Sequence, residues 1–563
     1  MNPLLGIDFG TTNAAAALVL GRDVKVVPHA GGALTIPAVV AIPPVAVGGR
    51  PVVGAEAQAV GVRHPERCIT TIKRLLGRKM ETPEVRHQRQ EVPYELVMAK
   101  NGDARIRVGR RHHAAPDLAA YVFGALRQAA EAMAGTAVTA AVLAIPADFN
   151  DLQRQAIRDS ARIAGLEVVG VITEPAAAAL ASGIFPLERA RDKKEHRVLV
   201  YDLGGGSFDV AALLVRDQGV EVLASGGDAF LGGEDFDQRV VSDVCEQFMK
   251  AGGGDLRRER LLLPRLRAAA EWAKRQLSTV ESVTIQLPEL MARMPTGVTL
   301  TRERFESLTQ DLVDRTVWPC ERVLNDAKWS VEDVETLIMV GGQTNAPRVR
   351  AHIAEWLGKA ALPSQAPESL VALGAAHHGI ALLAGPKRRK GQVAISEATC
   401  LSLGIESAGG VLTRLIPKGA PLPARHSQVF STAADGQAHI TIHLLQGERE
   451  MATDNDSIAH LQIGPLAPAP KGQPQIEVEI MTDGGGLPRA AARDLATDEP
   501  VAVRIRPSGG LTEAELVALT AIHAGVGNPA GGGDDAARPE VVSFGGESGP
   551  IDTRSGRSKE QRG

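Results

Sequence analysis

Two stretches of the chain combine an acid, glycines and hydroxyls in a spacing suited to holding phosphate. Gly6-Ile7-Asp8-Phe9-Gly10-Thr11-Thr12-Asn13 continues the apolar pair Leu4-Leu5. Tyr201-Asp202-Leu203-Gly204-Gly205-Gly206-Ser207-Phe208-Asp209 continues Val198-Leu199-Val200. In each, a strand-like run delivers an aspartate to the edge of a tight turn. Glycine lets the main chain approach an oxyanion and aim its N–H groups at it. The threonine and serine hydroxyls add donors, and the acids can hold Mg2+ through its waters. One such loop is a weak signal. Two in this chain order predict a pair of facing phosphate-binding hairpins.

Turns of this kind need rigid strands behind them. Residues 1 to about 385 alternate strand-like and helix-like segments. Ala141-Val142-Leu143-Ala144-Ile145-Pro146 reads as a buried strand, and residues 151–164 then read as a helix capped by Asn150 or Asp151. Thr336-Leu337-Ile338-Met339-Val340 is a further strand, ending at Gly341-Gly342. The alternation predicts a largely parallel, layered α/β domain. Ligands in such sheets lie outside the carboxyl ends of the strands, where all three glycine turns fall.

The texture changes over residues 386–398. Gly385-Pro386-Lys387-Arg388-Arg389-Lys390-Gly391 is polar and rich in breakers, and reads as an interdomain linker. Residues 399–507 are β-rich: His439-Ile440-Thr441-Ile442-His443-Leu444 alternates with period two, and Gly409-Gly410, Asp435-Gly436 and Asp483-Gly484 mark turns. A compact antiparallel sandwich is predicted. Residues 508–524 hold one short helix, with Thr512 as N-cap and Glu515 completing a capping box. Residues 525–563 are rich in Gly, Pro, Ser and charge, and read as a disordered tail.

Composition narrows the function classes. A chain of 563 residues needs several cores. Its net charge of −4 gives no general pull toward nucleic acid, and with 3% aromatic residues a base-stacking platform is not expected. No apolar run reaches the roughly 18 residues of a membrane span, and no signal peptide is visible. Cys68, Cys245, Cys320 and Cys400 are scattered without a CxxC, which reads as structural thiols in a reducing, cytoplasmic setting. His377-His378 likewise lacks metal-ligand spacing.

Further motifs in order along the chain include Ile72-Lys73-Arg74-Leu75, Ile145-Pro146-Ala147-Asp148-Phe149-Asn150-Asp151, Glu174-Pro175-Ala176-Ala177-Ala178, Leu231-Gly232-Gly233-Glu234-Asp235-Phe236-Asp237 and Val340-Gly341-Gly342-Gln343-Thr344. Leu401-Ser402-Leu403-Gly404-Ile405-Glu406, His426-Ser427-Gln428-Val429-Phe430-Ser431-Thr432 and Leu445-Gln446-Gly447-Glu448-Arg449 follow. With the two hairpins, these segments resemble the seventy-kilodalton heat-shock chaperones, the DnaK type, from residue 4 to about 522. The resemblance implies an actin-like nucleotide-binding domain followed by a β-sandwich that grips extended hydrophobic peptides, with a vestigial C-terminal helix. ATP or ADP with Mg2+ is the implied cofactor, K+ a further candidate, and a nucleotide exchange factor a candidate partner.

Site residues follow from the matched motifs. Asp8 and Asp202 should organise Mg2+ and its waters. Lys73 should reach the γ-phosphate and the attacking water, and Glu174 should orient that water with Asp209 in support. Ser207 stands where the family usually has threonine and keeps the hydroxyl. Gly10, Thr11, Thr12, Asn13, Gly204, Gly205 and Gly206 should cradle phosphates, with Gly341 and Gly342 beside them. Gly232, Gly233 and Glu234 should face the ribose. Glu271, Lys274, Arg275 and Ser278 should line the adenine. Asn345 replaces an arginine that covers the other adenine face in many members, a stack worth about 0.5–2 kcal/mol. Pro146 and Arg154 match the relay between ATP site and linker. Ile405, Val411, Phe430, Ile440 and Ile442 should line the peptide pocket, under an arch made only by Ala408 and Ala433.

Departures from the family pattern point to a divergent paralogue. Val393-Ala394-Ile395-Ser396-Glu397 is less apolar than the family's leucine-rich linker, so weaker domain coupling is expected. Gly170 replaces the arginine that meets the acidic motif of J-domain co-chaperones. Nothing after Gly525 resembles the long lid helices, and Pro488 sits where a sandwich strand should continue. The expected activity is slow ATP hydrolysis coupled to weak peptide binding. The alternatives are a nucleotide-binding scaffold that does not cycle, a client-specific paralogue such as one in iron–sulfur assembly, and a sugar kinase on the same fold, against which residues 399–507 count.

Overall fold

The computed structural model describes residues 3–526 apart from 22, 45–49, 185–194, 217–218, 260–261, 292, 363–365, 384–393 and 484–487. The basic run of the linker, the glycines at 484–486 and the tail beyond 526 therefore lie outside the described residues.

The α/β part is two sheets of like design. In the first, β1 (Leu4–Phe9), β2 (Asn13–Leu20), β3 (Asp23–Val26), β4 (Ala140–Ile145) and β5 (Glu167–Thr173) lie in the order β5-β4-β1-β2-β3. In the second, β6 (Glu195–Leu203), β7 (Phe208–Arg216), β8 (Gly219–Asp228), β9 (Thr336–Val340) and β10 (Ala394–Ser396) lie in the order β9-β6-β7-β8-β10. β1 runs parallel to β4 and antiparallel to β2, and β6 runs parallel to β9 and antiparallel to β7. This shared plan puts an acid-bearing hairpin at the same end of each sheet.

Helix α1 (Ala115–Ala134) and α2 (Asp151–Ile163) cover the first sheet. Asn150 caps α2: its side chain accepts from Gln153 N at 3.0 Å while Gln153 Oε1 accepts from Asn150 N at 3.1 Å, the reciprocal cap that Asn-x-x-Gln allows. Between the sheets lie α3 (Glu174–Ala181) and α4 (Leu370–Leu383), packed among residues of both halves. Their alanines and glycines permit a close crossing. A β-carbon on Gly374 would lie 1.8 Å from the Ala177 carbonyl oxygen. Gly374→Ala should therefore push α3 away and destabilise the fold by about 1–3 kcal/mol or more. A thermal melt unchanged by that substitution would show that the crossing relaxes freely.

The sandwich follows. One sheet holds β11 (Leu403–Ser407), β12 (Val411–Ile416), β14 (Ile440–Gln446), β15 (Asp456–Ile463) and β19 (Val503–Pro507) in the order β12-β11-β14-β15-β19; the other holds β13 (Ala424–Phe430), β16 (Ile476–Thr482), β17 (Pro488–Asp494) and β18 (Pro500–Val501) in chain order. All these pairings are antiparallel. The strand expected to fail at Pro488 forms: β17 begins there, with Pro488 opposite Thr482 and pairing continuous to Asp494. A proline is tolerated as the first residue of a strand.

Within the predicted linker, β10 adds in parallel to the edge of β8, Ala394 to Ser396 beside Gly219 to Glu221. The last helix, α5 (Glu513–Val526), is docked on the first half. Leu516 is buried in the first half's core, with Leu511 and Leu519 against it. Polar contacts surround this apolar stripe: Arg162 to Glu513, Arg105 to Glu515 at 3.3 Å, and His523 Nε2 to Asp117 Oδ1 at 2.9 Å. The capping box showed the helix but not its docking surface, because the partner residues lie some 350–410 positions away.

Asp117 gives this contact a pH dependence. Burial opposes its charge, but hydrogen bonds from His113 and His523 and their positive charge hold its carboxyl at about 2. A depressed folded value stabilises above the unfolded value and is lost as pH falls through the folded one. About 2 kcal/mol should thus be present at neutral pH and disappear between about pH 4 and pH 2. Asp117→Asn should remove that increment, read as equal acid sensitivity of α5 protection in hydrogen exchange at both ends of the window.

Candidate functional site

The two hairpin turns meet. A β-carbon on Gly205 would lie 2.2 Å from Thr12 Oγ1, and one on Gly206 would lie 2.5 Å from Thr11 Cγ2. Only glycine leaves space for this approach. Behind the turns, register sets Asp202 directly opposite Asp209 and beside Val340, while Asp8 stands beside Ala144. Gly341, at φ 84°, turns the chain next to Asp202.

Lys73 and Glu174 enter this space from separate elements. Glu174 is the first residue of α3, directly after β5, with Pro175 next to it; a proline in the first helical turn loses no hydrogen bond. Lys73 sits in the short 3-10 helix Ile72–Leu75, entered through Thr71 at φ 53°. A β-branched residue in that region is strained. It is held there by Gln88 Nε2 donating to Thr71 Oγ1 at 2.7 Å, and the preceding carbonyl, that of Thr70, accepts from Tyr94 Oη at 2.7 Å. Lys73 Nζ donates to Glu174 Oε1 at 2.7 Å, with both side chains buried.

The electrostatics show too much negative charge for one lysine. Burial, then repulsion from Glu174, pushes Asp8 up to about 7 against the pull of Lys73. Burial and neighbouring carboxylates also raise Asp202 and Asp209 well above the carboxylate range. Burial disfavours the Lys73 ammonium, but Glu174, Asp8 and Asp209 outweigh it and hold its pKa above the usual value. A divalent cation would relieve this excess. Among the described residues no three His, Cys, Asp or Glu side chains converge to ligate a metal directly. The acids therefore fit Mg2+ that keeps its waters and takes its other ligands from phosphate.

The remaining predicted residues form separate walls. Lys274 Nζ donates to the Gly233 carbonyl at 2.8 Å and pairs with Asp237 at 2.9 Å, which ties the helix Leu262–Gln276 to the Gly232–Gly233 turn. Glu271 and Ser278 are half-buried, whereas Arg275 and Asn345 are exposed. Glu234 pairs with Arg74 at 3.3 Å. Ser207 is half-buried in the turn whose Gly204 N donates to its carbonyl at 3.0 Å. Arg74 was not singled out from sequence, yet its Nη2 donates to the Gly206 carbonyl at 2.6 Å and so joins the first half to the second hairpin. Its place next to Lys73 was the available signal.

Of the two predicted relay residues, Arg154 sits where the sandwich docks. Arg154 is buried, and its Nε donates to the Phe149 carbonyl at 2.8 Å. Pro146 lines a cavity beside Lys73. Glu397, just past the linker strand, accepts from Thr173 N at 2.6 Å, one residue before Glu174. Asp151 N donates to Gln446 Oε1 at 2.9 Å and Asn150 Nδ2 to Asp456 Oδ2 at 2.8 Å. Cys400, at this junction, donates to the Phe149 carbonyl at 3.3 Å.

In the sandwich, Ile405, Ile440 and Ile442 are only 4–5% exposed and belong to its core. Phe430 and Val411 are half-buried, and Ala408 and Ala433 are exposed. Gly170 explains its own missing side chain: a β-carbon there would lie 2.2 Å from Leu382 Cδ1. An arginine at this position needs Leu382 to move.

No helix among the described residues is long and apolar enough to cross a membrane. The family model described as Hsp70 protein matches residues 4–523 of the 563.

Proposed function

The chain belongs to the Hsp70 family, and from that premise we propose that it is an ATP-dependent chaperone in which slow ATP hydrolysis is coupled to the holding of extended apolar peptide segments. The observation that carries this reading is the buried Lys73–Glu174 pair at 2.7 Å, set among Asp8, Asp202 and Asp209 beneath two touching glycine hairpins.

Phosphoryl transfer to water depends on positioning and charge neutralisation more than on covalent help. Asp8 and Asp202 would hold Mg2+, which would neutralise the phosphate charge. Main-chain N–H groups of the two turns and the hydroxyls of Thr11, Thr12 and Ser207 hold the phosphates. Lys73 fixes Oε1 of Glu174 and leaves Oε2 to accept a hydrogen bond from the attacking water. Asp209, paired across the hairpin with Asp202, supports that water. Adenine lies along the wall carrying Glu271, Lys274, Arg275 and Ser278, without an arginine at Asn345. Residues 1–385 form the nucleotide domain and 399–507 the peptide domain, where the half-buried Val411 and Phe430 are the members of the predicted pocket open to a peptide, and Ile405, Ile440 and Ile442 belong to the core.

Glu397 supports the coupling. It joins the docked linker strand to the backbone next to Glu174, so withdrawal of the linker changes the support of the catalytic carboxylate. Single-turnover ATP cleavage, with and without an apolar peptide, tests this. Acceleration by peptide is the expected result; cleavage indifferent to peptide refutes the coupling. That outcome would favour the non-cycling scaffold, to which Gly170 already lends weight, since it supplies no cation to attract a J-domain.

A further inference from the structure

We propose that Ser457, His443 and Glu406 form an acyl-transfer site on the outer face of the first sandwich sheet, the side away from Ile440 and Ile442. His443 Nδ1 lies 2.7 Å from Glu406 Oε2, and His443 Nε2 lies 2.7 Å from Ser457 Oγ. A carboxylate only accepts, so Nδ1 carries the imidazole proton and Nε2 is left as a base facing the hydroxyl. Ser457 therefore donates to Nε2. Its Oγ is also 2.7 Å from Ser508 Oγ, and with its own proton committed it accepts from Ser508. All three hydrogen bonds run one way, toward Glu406. This is the order that couples a nucleophile to a base and the base to an orienting acid.

The sheet departs from regular pairing to build this row. His443 is on β14 between the buried Ile442 and Leu444, and points to the other face. On β15, Ala459 pairs with Leu444 and Ser457 with Leu445, so Ile458 is an extra, unpaired residue. Strict alternation would turn Ser457 to the core with Ala459 and Leu461. The bulge at Ile458 re-aims it to the face of His443, a use that bulges have beside reactive side chains. His460, directly opposite His443 in register, stacks on its ring at 4.3 Å and 13° and so fixes the plane of the base. Ser508 is placed by its own N–H, which donates to the Ile458 carbonyl at 2.9 Å. The His443 and Glu406 side chains are 24% and 42% exposed, so the row is open to solutes.

A carboxylic ester is the substrate class. Ser457 Oγ bonds to the acyl carbon as its proton passes to Nε2. The Ser508 hydroxyl, left beside the attacked carbon, donates to the oxyanion. The bond to the leaving alcohol then breaks, and the alcohol takes the proton from Nε2. Water attacks the resulting serine ester with the same base, which releases the carboxylic acid and restores Ser457.

Two probes test this on the full chain. One is an alkyl fluorophosphonate, from which Ser457 Oγ displaces fluoride, with the adduct mapped by mass spectrometry. The other is p-nitrophenyl acetate, read by release of nitrophenolate. The expected results are an adduct on Ser457 and an ester hydrolysis that Ser457→Ala and His443→Asn each slow by about a hundredfold or more. Glu406→Gln should lower kcat with KM unchanged, and Glu406→Asp should retain most of the rate, which separates positioning of His443 from support of the fold. Ser457→Ala should melt and cleave ATP as the wild type does, so this proposal and the ATPase reading fail independently. Absence of an adduct on Ser457, or ester hydrolysis undiminished in Ser457→Ala, overturns the proposal.

Discussion

Replacing Glu174 by glutamine should slow single-turnover ATP cleavage by about 10²–10⁴-fold, the range over which a positioned proton acceptor contributes. Nucleotide affinity should change little, because Glu174 faces the attacking water and not the base or ribose. Lys73→Ala should be as damaging to cleavage and should also unsettle the fold. Lys73 offsets Asp8, Glu174 and Asp209, all buried or half-buried, and removing the cation from a buried pair typically costs about 3–5 kcal/mol. The two variants are thus expected to separate: Glu174→Gln loses rate with a near-normal melt, while Lys73→Ala loses both. Cleavage within threefold of wild type in Glu174→Gln would move the catalytic role to another residue, with Asp209 the next to test.

Arg154→Ala should release the linker strand. Arg154 is buried beside Glu397, Asp151 and Cys400. Burial raises the Glu397 carboxyl and Arg154 is the main group that opposes this. Without the guanidinium, docking leaves a buried carboxylate uncompensated, a cost of about 3–5 kcal/mol and so about a hundredfold or more in the docked population. The direct readout is hydrogen exchange of residues 394–396, whose pairing with Gly219–Glu221 should protect them in the wild type. Faster exchange by two orders of magnitude, together with loss of peptide-accelerated cleavage, is the expected pattern. If exchange speeds up while peptide still accelerates cleavage, the coupling does not run through Glu397 and Thr173.

Much of the site was legible because phosphate chemistry demands local sequence. Asp8-Phe9-Gly10-Thr11-Thr12 and Asp202-Leu203-Gly204-Gly205-Gly206 had to be written contiguously, since one turn must provide the acid, the space and the donors. Asn150 or Asp151 marked the start of α2 for the same reason: a cap is satisfied within four residues. Arg74 was harder to read. Its place next to Lys73 hinted at the site, but nothing local shows that it reaches Gly206, 132 positions away. The wall predicted to meet adenine lies between these cases, with Lys274 placed by its bonds to Gly233 and Asp237 and Arg275 left exposed.

The reading of Pro488 erred because a proline weakens only the interior of a strand, and sequence could not show that β17 starts on it. The linker motif was judged on its apolar side chains. Strand addition uses main-chain groups, which Ala394 and Ser396 supply as well as leucines would, so β10 can dock despite its composition.

By itself the sequence determined the chemistry of each turn, the strand and helix types, the sandwich and the helix at the end of the described chain, because each rests on interactions between near neighbours. Tertiary structure decided which of these pieces meet. It brought Lys73 to Glu174 across 101 residues, set one hairpin against the other, seated α5 on α1 and α2, and placed Leu382 where Gly170 leaves space. These contacts depend on how the two sheets and their helices pack. A burial pattern says that a face must be covered, and only the assembled fold supplies the side chain that covers it.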